Sequence, residues 1–261
     1  MKRVLMAEMT AKEYHEALQE TDTVILPVGS TEILGTHSPL GSDHLIAMTL
    51  GKRLGEEVGA IVAPTIPYGD AMELSAWPGT ITVDSDVLKM LYLDVCKSLI
   101  SHGLQRVFFF NTHLTNVRAA EYCGRELRRD GVLVAQVDWW RAAFSVCEGI
   151  IESKPEALPF GHGGEVTTSV MMSIRPDLGD LAQATKEACK PAWEFHRKYS
   201  VAGGGPFFTY PDFTDFCEYG GWGDPSLASK EKGDQIVDRA VAKMADFLRE
   251  FMAQPLPEPL N

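Results

Sequence analysis

Short apolar segments alternate with amphipathic segments along the first half of the chain. Four apolar runs are rich in β-branched and aromatic residues, which is typical of strands buried on both faces. They are residues 23–28 (TVILPV), 60–68 (AIVAPTIPY), 106–111 (RVFFFN) and 132–138 (VLVAQVD). Segments with helical periodicity lie between them, at 43–58, 85–102 and 115–130. This alternation predicts an α/β fold with a mainly parallel sheet and helices on both faces.

Local signals place the ends of some helices. Asp84 or Ser85 is a suitable N-cap for the second helix, and Thr115 for the third. The second half of the chain is less regular. It has a Pro-rich loop near 155–159, a helix from about 165 to 174, a Gly/Pro/aromatic stretch at 202–225, and an amphipathic helix at about 228–251 before a Pro-rich tail. Since there is no repeat or low-complexity linker, we predict a single domain over residues 1–261.

Composition excludes several classes of partner. The formal net charge is −12 and no basic block occurs, which argues against nucleic acid or an anionic membrane as the main partner. No apolar stretch approaches the roughly 18 to 20 residues that span a bilayer, and the N-terminus turns polar before a signal-peptide core could form. We therefore expect a cytoplasmic protein. The five cysteines lie far apart without a C-x-x-C pair, which predicts reduced, mostly buried thiols.

Polar side chains follow three of the predicted strands. The first runs into GSTE (29–32), the third into NTHLTN (111–116) and the fourth into DWW (138–140). Ligands of open α/β sheets bind beyond the carboxyl ends of the strands, so certain side chains are able to converge there: Glu32, Asp43, His113 and Asp138. A divalent cation held by carboxylates and one imidazole would explain the cluster, because unpaired carboxylates repel one another in a partly desolvated cleft. Alternatively, Glu32 is a capping or solvated residue and Asp43 an N-cap.

A second group of candidate residues lies in GHGGEVTTS, residues 161–169. Its glycines allow a close approach of the backbone to a ligand. In a functional interpretation His162 is an acid/base, and Glu165 is a metal ligand or a second acid/base. In the alternative, the segment is a loop with a capped helix whose dipole Glu165 complements. Trp139 and Trp140 are either core aromatics or, for one of them, a wall of the pocket.

Four strings of the sequence resemble the diagnostic blocks of the creatininase family: PVGSTEILGTHSPLGSD, NTHLTN, GHGGEVTTS and WGDPSLASKEKGD. Their order and spacing cover nearly the whole chain. The resemblance implies a three-layer α/β sandwich with a mainly parallel central sheet. It also implies a homo-oligomer, commonly a hexamer, and hydrolysis of cyclic or formyl amides with zinc, manganese or iron. Some relatives of this kind are similar to hydrolases of keto-inositols.

Carried over from the family motifs, Glu32 matches the first metal-binding Glu, Asp43 the bridging Asp, and His113 the metal-binding His. His162 matches the catalytic His. The sequence departs from the family pattern at three other positions. Leu34 replaces the His of E-x-H-G, Thr115 a Glu of the second block, and Thr167 the Glu of the ETS triplet. The resemblance therefore implies a divergent subfamily that lacks a ligand of the second metal.

The sequence predicts a metal-dependent hydrolase of a small molecule. One tightly bound divalent cation (Zn, Mn or Fe) would be held by Glu32, Asp43 and His113, with Glu165 as a further ligand, and His162 would transfer protons. The predicted substrate-binding side of the site contains His37 and Asn111 in supporting roles and Trp139 or Trp140 as a wall. A cyclic or formyl amide is the first substrate class. The alternatives are ring opening of a cyclic keto-polyol and a non-catalytic metal- or ligand-binding role.

Overall fold

The structure, a computed structural model, describes residues 2–153, 161–188 and 212–260. Its strands are β1 (Thr23–Val28), β2 (Ile61–Val62), β3 (Arg106–Asn111) and β4 (Leu133–Asp138). Its α-helices are α1 (Ala11–Ala17), α2 (Ser42–Val58), α3 (Ser85–Ser101), α4 (Val117–Arg129), α5 (Trp139–Phe144), α6 (Glu165–Ile174) and α7 (Lys230–Ala253). The predicted loop at 155–159, residues 202–211 of the stretch at 202–225, and Cys189 lie outside the described residues.

The four strands form one parallel sheet in the order β2–β1–β3–β4. β1 is central and pairs with β3 in a register that joins Val24 to Val107 and Val28 to Asn111. Helices connect successive strands, as parallel pairing requires. The prediction of an α/β fold with a parallel sheet is confirmed. The register brings the carboxyl ends of β1, β3 and β4 to one edge, so the residues that follow these strands meet there.

Alternation along the strands divides the core into two layers. Ile25, Phe108 and Phe110 pack in one cluster with α2, α6 and α7. The intervening residues Val24 and Phe109 pack in the other cluster, with α3 and α4. Successive side chains of a strand point to opposite faces, and both faces of β1 are fully buried. The sheet therefore has a helical layer on each side, and its carboxyl edge is the surface on which a site can form.

The second strand is much shorter than the predicted 60–68. Only Ile61–Val62 pairs as a strand with β1, and Ile66 adds an isolated bridge to Val28. Pro64 and Pro67 lack the backbone N–H groups that a continuous ladder needs. The apolar run is thus an edge segment that pairs at separate points.

The structure confirms one predicted helix cap and corrects another. The Asp84 side chain caps α3, accepting from the backbone N–H groups of Asp86 and Val87. The Thr115 prediction was wrong, because a 3-10 turn over 114–116 precedes α4, and the Thr115 hydroxyl donates to the main-chain oxygen of Asp70. Thr115 therefore supports the carboxyl edge of the sheet and does not cap α4.

Helices α6 and α7 cross closely at Gly233. A Cβ atom on this residue would lie 1.9 Å from the main-chain oxygen of Ser169 in α6. That distance is far below van der Waals contact, so the crossing requires a residue without a side chain. Ser169 also receives the backbone N–H of Ser229, the N-cap of α7, on its hydroxyl. The start of α7 is in this way fixed against the middle of α6.

Two further predictions bear on the described residues. No helix in this part of the chain combines the length and the hydrophobicity that crossing a membrane requires. Four cysteines of the described residues are buried, as predicted: Cys96, Cys123, Cys147 and Cys217. Burial raises the pKa of the Cys147 thiol to about 11, which keeps it protonated near neutral pH and poorly nucleophilic.

Candidate metal and proton-transfer site

Glu32, Asp43 and His113 come together at the carboxyl edge of the sheet. One ligand atom from each lies within 4.8 Å of the other two. Glu32 follows β1, His113 follows β3, and Asp43 lies in the first turn of α2, whose N-cap is Gly41. All three residues are buried, with exposures of 2%, 8% and 6% in chain order. The predicted convergence of the three side chains is present, Glu32 is not a solvated residue, and Asp43 is not the N-cap of α2.

His113 faces both carboxylates through one ring nitrogen. Its Nδ1 lies 2.9 Å from Glu32 Oε2 and 3.3 Å from Asp43 Oδ2. Its Nε2 lies 2.8 Å from the main-chain oxygen of Asp70. Since a carbonyl oxygen only accepts, Nε2 carries a hydrogen, and the neutral ring has its lone pair on Nδ1. In that state three lone-pair donors face one another, so a positive charge has to lie between them.

The pKa shifts of Glu32, Asp43 and His113 also indicate that a positive charge is required between them. Burial raises the pKa of Asp43, and the charge of Glu32 raises it further. For Glu32, burial raises the pKa, but the charge and hydrogen bond of His113 outweigh burial and lower it. Burial lowers the pKa of His113, yet Glu32 and Asp43 together raise it well above its ordinary value. Two neighbouring buried carboxylates are stable when ionised only beside a cation, which is either a proton on His113 or a metal ion.

The donor set fits a divalent metal. Carboxylate oxygens and an imidazole nitrogen are ligands of zinc, and also suit manganese and iron. Two contacts fix the ligands from behind: Ser30 Oγ donates to Glu32 Oε2 at 2.5 Å, and Thr112 Oγ1 donates to the main-chain oxygen of Asp43 at 2.9 Å. The orphaned lone pairs of the trio and its burial together mark it as the candidate metal centre.

His162 reaches the trio from the loop before α6. Its Nε2 lies 3.5 Å from Glu32 Oε1 and 2.6 Å from the main-chain oxygen of Ile33. Gly163 makes this approach feasible, because its φ is +77° and a Cβ there would lie 2.5 Å from the main-chain oxygen of Leu34. The predicted neighbourhood of His162 and the trio is thus present.

Glu165 lies in a different network, which corrects both roles predicted for it. Its Oε1 accepts from Lys232 Nζ at 2.5 Å, and its Oε2 accepts from the backbone N–H of Ser153 at 2.7 Å. The backbone N–H of Glu152 lies within 3.2 Å of both oxygens. A carboxylate whose oxygens accept from an ammonium group and two backbone N–H groups has most of its lone pairs occupied and is a poor metal ligand. Glu165 therefore joins α6 to α7 and to the segment before the loop.

The two residues predicted to support the site have the contacts of such a role. Asn111 Oδ1 accepts from the backbone N–H of His113 at 3.1 Å, and its Nδ2 donates to Asp138 at 3.2 Å. His37 Nε2 is 2.9 Å from the hydroxyl of Thr168, which donates to the main-chain oxygen of Gly163 at 3.2 Å. Burial lowers the pKa of His37. Asn111 thus braces His113, while His37 braces the loop that carries His162.

Other predicted residues lie outside the cluster. Trp139 is a core side chain, 5% exposed, packed with the helices on one face of the sheet, so it is not a wall of the pocket. Trp140 is half-buried at the start of α5. Asp138 does not join the trio: it accepts from Asn111 and Gln136 and pairs with Arg141 at 3.3 Å.

Sequence reasoning missed several residues that shape the site. Ser30 hydrogen-bonds to Glu32, and the main-chain oxygen of Asp70 hydrogen-bonds to His113. The ring of Trp222 stacks on His162 with ring centroids 5.7 Å apart. Asp70 acts through its backbone, which leaves no signal in a side-chain pattern. Trp222, in contrast, stands at the head of the WGDP string that was already singled out.

Comparison with known proteins places this geometry in a family. The creatininase model, described as creatinine amidohydrolase, matches residues 7–248. Creatinine amidohydrolase of Pseudomonas putida is 30% identical over 267 residues, covering 95% of this chain and 97% of that protein. The mycofactocin precursor peptide peptidase of Mycolicibacterium smegmatis is 28% identical, with 93% and 89% covered. The 3-dehydro-scyllo-inosose hydrolase of Thermotoga maritima is 25% identical, with 95% and 84% covered.

Solved structures give the same result. A crystal structure of creatinine amidohydrolase superposes with a TM-score of 0.81 at 26% identity, covering 98% of this chain and all of that one. A manganese creatininase has a TM-score of 0.79 at 28% identity, with 97% and 100% covered. A variant described as a zinc–zinc type has a TM-score of 0.76 at 27% identity, with the same coverage. With its family model matched over 7–248 and its fold shared from end to end, the chain belongs to the creatininase family of hydrolases.

Proposed function

We propose that this protein is a metal-dependent hydrolase that holds one tightly bound divalent cation through Glu32, Asp43 and His113. Its substrate would be a small cyclic or formyl amide. The observation that carries the proposal is the buried trio, with ligand atoms within 4.8 Å of one another and His162 3.5 Å from Glu32. A bound divalent cation supplies Lewis acidity that polarises a carbonyl and makes a water more acidic.

The residues of the chain divide the remaining work. Glu32 and Asp43 supply the negative charge that retains a cation, and Asp70 and Ser30 keep His113 and Glu32 oriented. His162 donates from Nε2 to the main-chain oxygen of Ile33, so its neutral ring carries the lone pair on Nδ1. We assign proton transfer to this imidazole, which would take a proton from the attacking water and return it to the leaving group.

Creatinine itself is not the expected substrate. Leu34 and Thr115 stand where the family pattern has a His and a Glu, and Leu34 is buried at 4% exposure. We therefore infer a divergent subfamily with one metal and a different substrate. Ring opening of a cyclic keto-polyol is the second candidate. It is supported by the 25% identity to a 3-dehydro-scyllo-inosose hydrolase over 95% of this chain.

Purified protein loaded with zinc or manganese should be assayed on a panel. The panel contains creatinine, hydantoin, dihydrouracil, N-formylglycine and 3-dehydro-scyllo-inosose. We expect turnover of an amide other than creatinine. Turnover of the keto-polyol alone would select the second candidate, and a metal-loaded protein inactive on both classes would reject the proposal.

The proton-transfer assignment has its own test. His162→Ala should lower turnover by about a hundredfold, the usual scale for an acid–base group, without changing the metal content. The matched control is His15→Ala, since His15 is exposed on α1 and its loss should leave both quantities unchanged. Normal turnover by His162→Ala would remove His162 from the mechanism.

Assembly into a homo-oligomer remains a proposal. Helix α3 exposes three large apolar side chains within five residues, Val87, Met90 and Leu91, at 41% to 56% exposure. Such an apolar surface is typical of a contact between subunits. Light scattering after size exclusion tests it, with a hexamer expected and a monomer at micromolar concentration contradicting it.

A further inference from the structure

The indole of Trp222 lies directly against the proposed proton-transfer residue. Its ring stacks on the His162 imidazole, with centroids 5.7 Å apart and planes inclined by 23°. The backbone N–H of Trp222 also donates to the main-chain oxygen of His162 at 3.0 Å. Trp222 thus contacts His162 through both its side chain and its main chain. A molecule that exchanges a proton with His162 has to come next to this indole.

Neighbouring elements hold Trp222 in place. Phe213 packs on the indole with centroids 5.1 Å apart, and Phe216 meets it edge-on at 5.6 Å. On its other flank, Gly223 exchanges two backbone hydrogen bonds with Glu187, of 2.7 and 3.2 Å. The Glu187 carboxylate accepts from the backbone N–H groups of Glu218 and Tyr219. The wall beside His162 is therefore rigid before any ligand arrives.

One polar atom of this wall is unsatisfied. The Nε1 atom of Trp222 is buried and has no hydrogen-bond partner among the described residues. The indole N–H is a donor only, and a buried donor without an acceptor costs on the order of 1–3 kcal/mol. Buried indole N–H groups in native proteins usually have a partner. An unpaired one beside a reactive residue is best explained by an acceptor that a ligand supplies.

We propose that Trp222 is a substrate-binding residue, whose Nε1–H donates to an oxygen of the substrate. This inference rests on the proposed function, because it takes the substrate to bind beside His162. The substrate class is a small ring that carries a carbonyl or hydroxyl oxygen at its edge. A cyclic amide and a ring polyol both have the required acceptor.

Two substitutions separate the roles of the N–H group and the ring. Trp222→Phe keeps an aromatic wall and removes the donor. It should raise KM about threefold to tenfold, the range expected for one hydrogen bond, and leave kcat within about twofold. Trp222→Leu also removes the stacked ring and should lower kcat as well, because His162 loses its support. Trp77→Phe is the control indole and should change neither constant.

A spectroscopic readout does not depend on turnover. Zinc-loaded protein with ¹⁵N-labelled indoles gives one N–H signal per tryptophan, and the Trp222 signal is assigned by its loss in Trp222→Phe. Hydantoin and 3-dehydro-scyllo-inosose are then titrated separately. We expect the Trp222 signal to move with one of them while the Trp77 signal stays fixed. The compound that moves it identifies the ring class.

The outcomes are distinct from those of the proposed function. If neither compound moves the Trp222 signal up to its solubility limit, or if Trp222→Phe has the KM of the wild type, the assignment of Trp222 is wrong even when the enzyme is active. If His162→Ala keeps full turnover, the mechanism is wrong, whereas a shifted Trp222 signal would still show binding at the indole. Thermal unfolding of each variant verifies that the fold is intact.

Discussion

The Nε2 atom of His113 lies 2.8 Å from the main-chain oxygen of Asp70. This bond fixes which ring nitrogen faces the two carboxylates, and no substitution of the Asp70 side chain can remove its acceptor. The Thr115 hydroxyl completes the arrangement, since it donates to the same oxygen and lies 2.6 Å from His113 Nε2. The orientation of the proposed metal ligand therefore depends on one backbone atom and one hydroxyl.

Replacing Thr115 should weaken metal binding without removing a ligand. Thr115→Val keeps the shape of the side chain but loses the hydroxyl, so His113 loses part of its support. Changes of this kind typically cost 10- to 100-fold in metal affinity. Competition with a chromophoric chelator measures the affinity, and Thr49→Val in α2 serves as the control. Equal affinity for wild type and Thr115→Val would show that Asp70 alone orients the ring.

The number of bound metals should follow residue 34. The trio supplies three protein ligands, which is typical of a catalytic zinc site with one open position. Leu34 offers no lone pair, so we expect about one tightly bound divalent ion per chain. Leu34→His should raise that number toward about two, because it restores the ligand of the family pattern. Metal analysis of both proteins after dialysis decides the question.

A wild-type chain that already holds two equivalents would contradict the argument. Another residue would then have replaced the missing ligand. Glu165 is a poor substitute, since Lys232 and two backbone N–H groups already occupy its oxygens. His44 follows Asp43 directly, so Leu34→His should also be measured together with His44→Ala.

Removing the metal should destabilise the fold. A ligand that binds only the native state adds RT ln(1 + [L]/Kd), about 2.7 kcal/mol at a hundredfold excess over Kd. In a domain of this size that corresponds to a fall in Tm of about 5–10 °C. Scanning fluorimetry with and without EDTA measures the shift. Glu32→Gln, which lacks a ligand charge, should show little further change with EDTA, and an equal shift in that variant would place the ion elsewhere.

Glu165 should contribute to stability and not to metal binding. Burial raises the pKa of Glu165, but the hydrogen bonds from Lys232 and Ser153 outweigh burial and lower it. Glu165→Gln removes the buried partner of Lys232, which keeps its ion pair with Glu152, and should cost about 1–3 kcal/mol in the free energy of unfolding. Urea titration measures this cost. A fall in metal content of Glu165→Gln would instead restore the ligand role.

The pH dependence of stability has a definite sign for this residue. A carboxylate whose pKa is lower in the folded state stabilises the protein above its unfolded pKa of about 4.3. That stabilisation is lost as the pH falls through 4 towards the folded pKa. Between about pH 6 and pH 3 the wild type should therefore lose more stability than Glu165→Gln. Parallel loss in the two proteins would show that other carboxylates control acid unfolding.

The sequence predicted the trio because strand ends are visible in the hydrophobic pattern. Glu32 and His113 each follow an apolar run, and parallel pairing of β1 and β3 brings the two ends to the same edge. Asp43 joins them because the first turn of α2 lies against the end of β1, where a Cβ on Gly29 would be 3.0 Å from the main-chain carbon of Asp43. These residues are close in space for topological reasons, so local patterns and one rule about parallel sheets are sufficient to find them.

Glu165 shows where such reasoning fails. An acidic residue after a glycine-rich loop and at the start of a helix has the same local pattern whether it binds a metal or an ammonium group. Its partner Lys232 is 67 residues away, on a helix whose register against α6 depends on side-chain packing. The pattern of α7 predicts that it is amphipathic, but not which of its residues meets Glu165. Trp222 was missed because its contact with His162 joins segments that are far apart in the sequence.

Gly233 extends the evolutionary constraint on this enzyme well beyond its functional groups. Any side chain at this position would push α6 away from α7, and α6 begins directly after the loop that carries His162. The position has no chemistry of its own, yet a side chain there would displace the imidazole of His162. Among distant relatives, an invariant glycine at this point would record the crossing of two helices and not a role in catalysis. Invariance alone would therefore misidentify it as part of the active site.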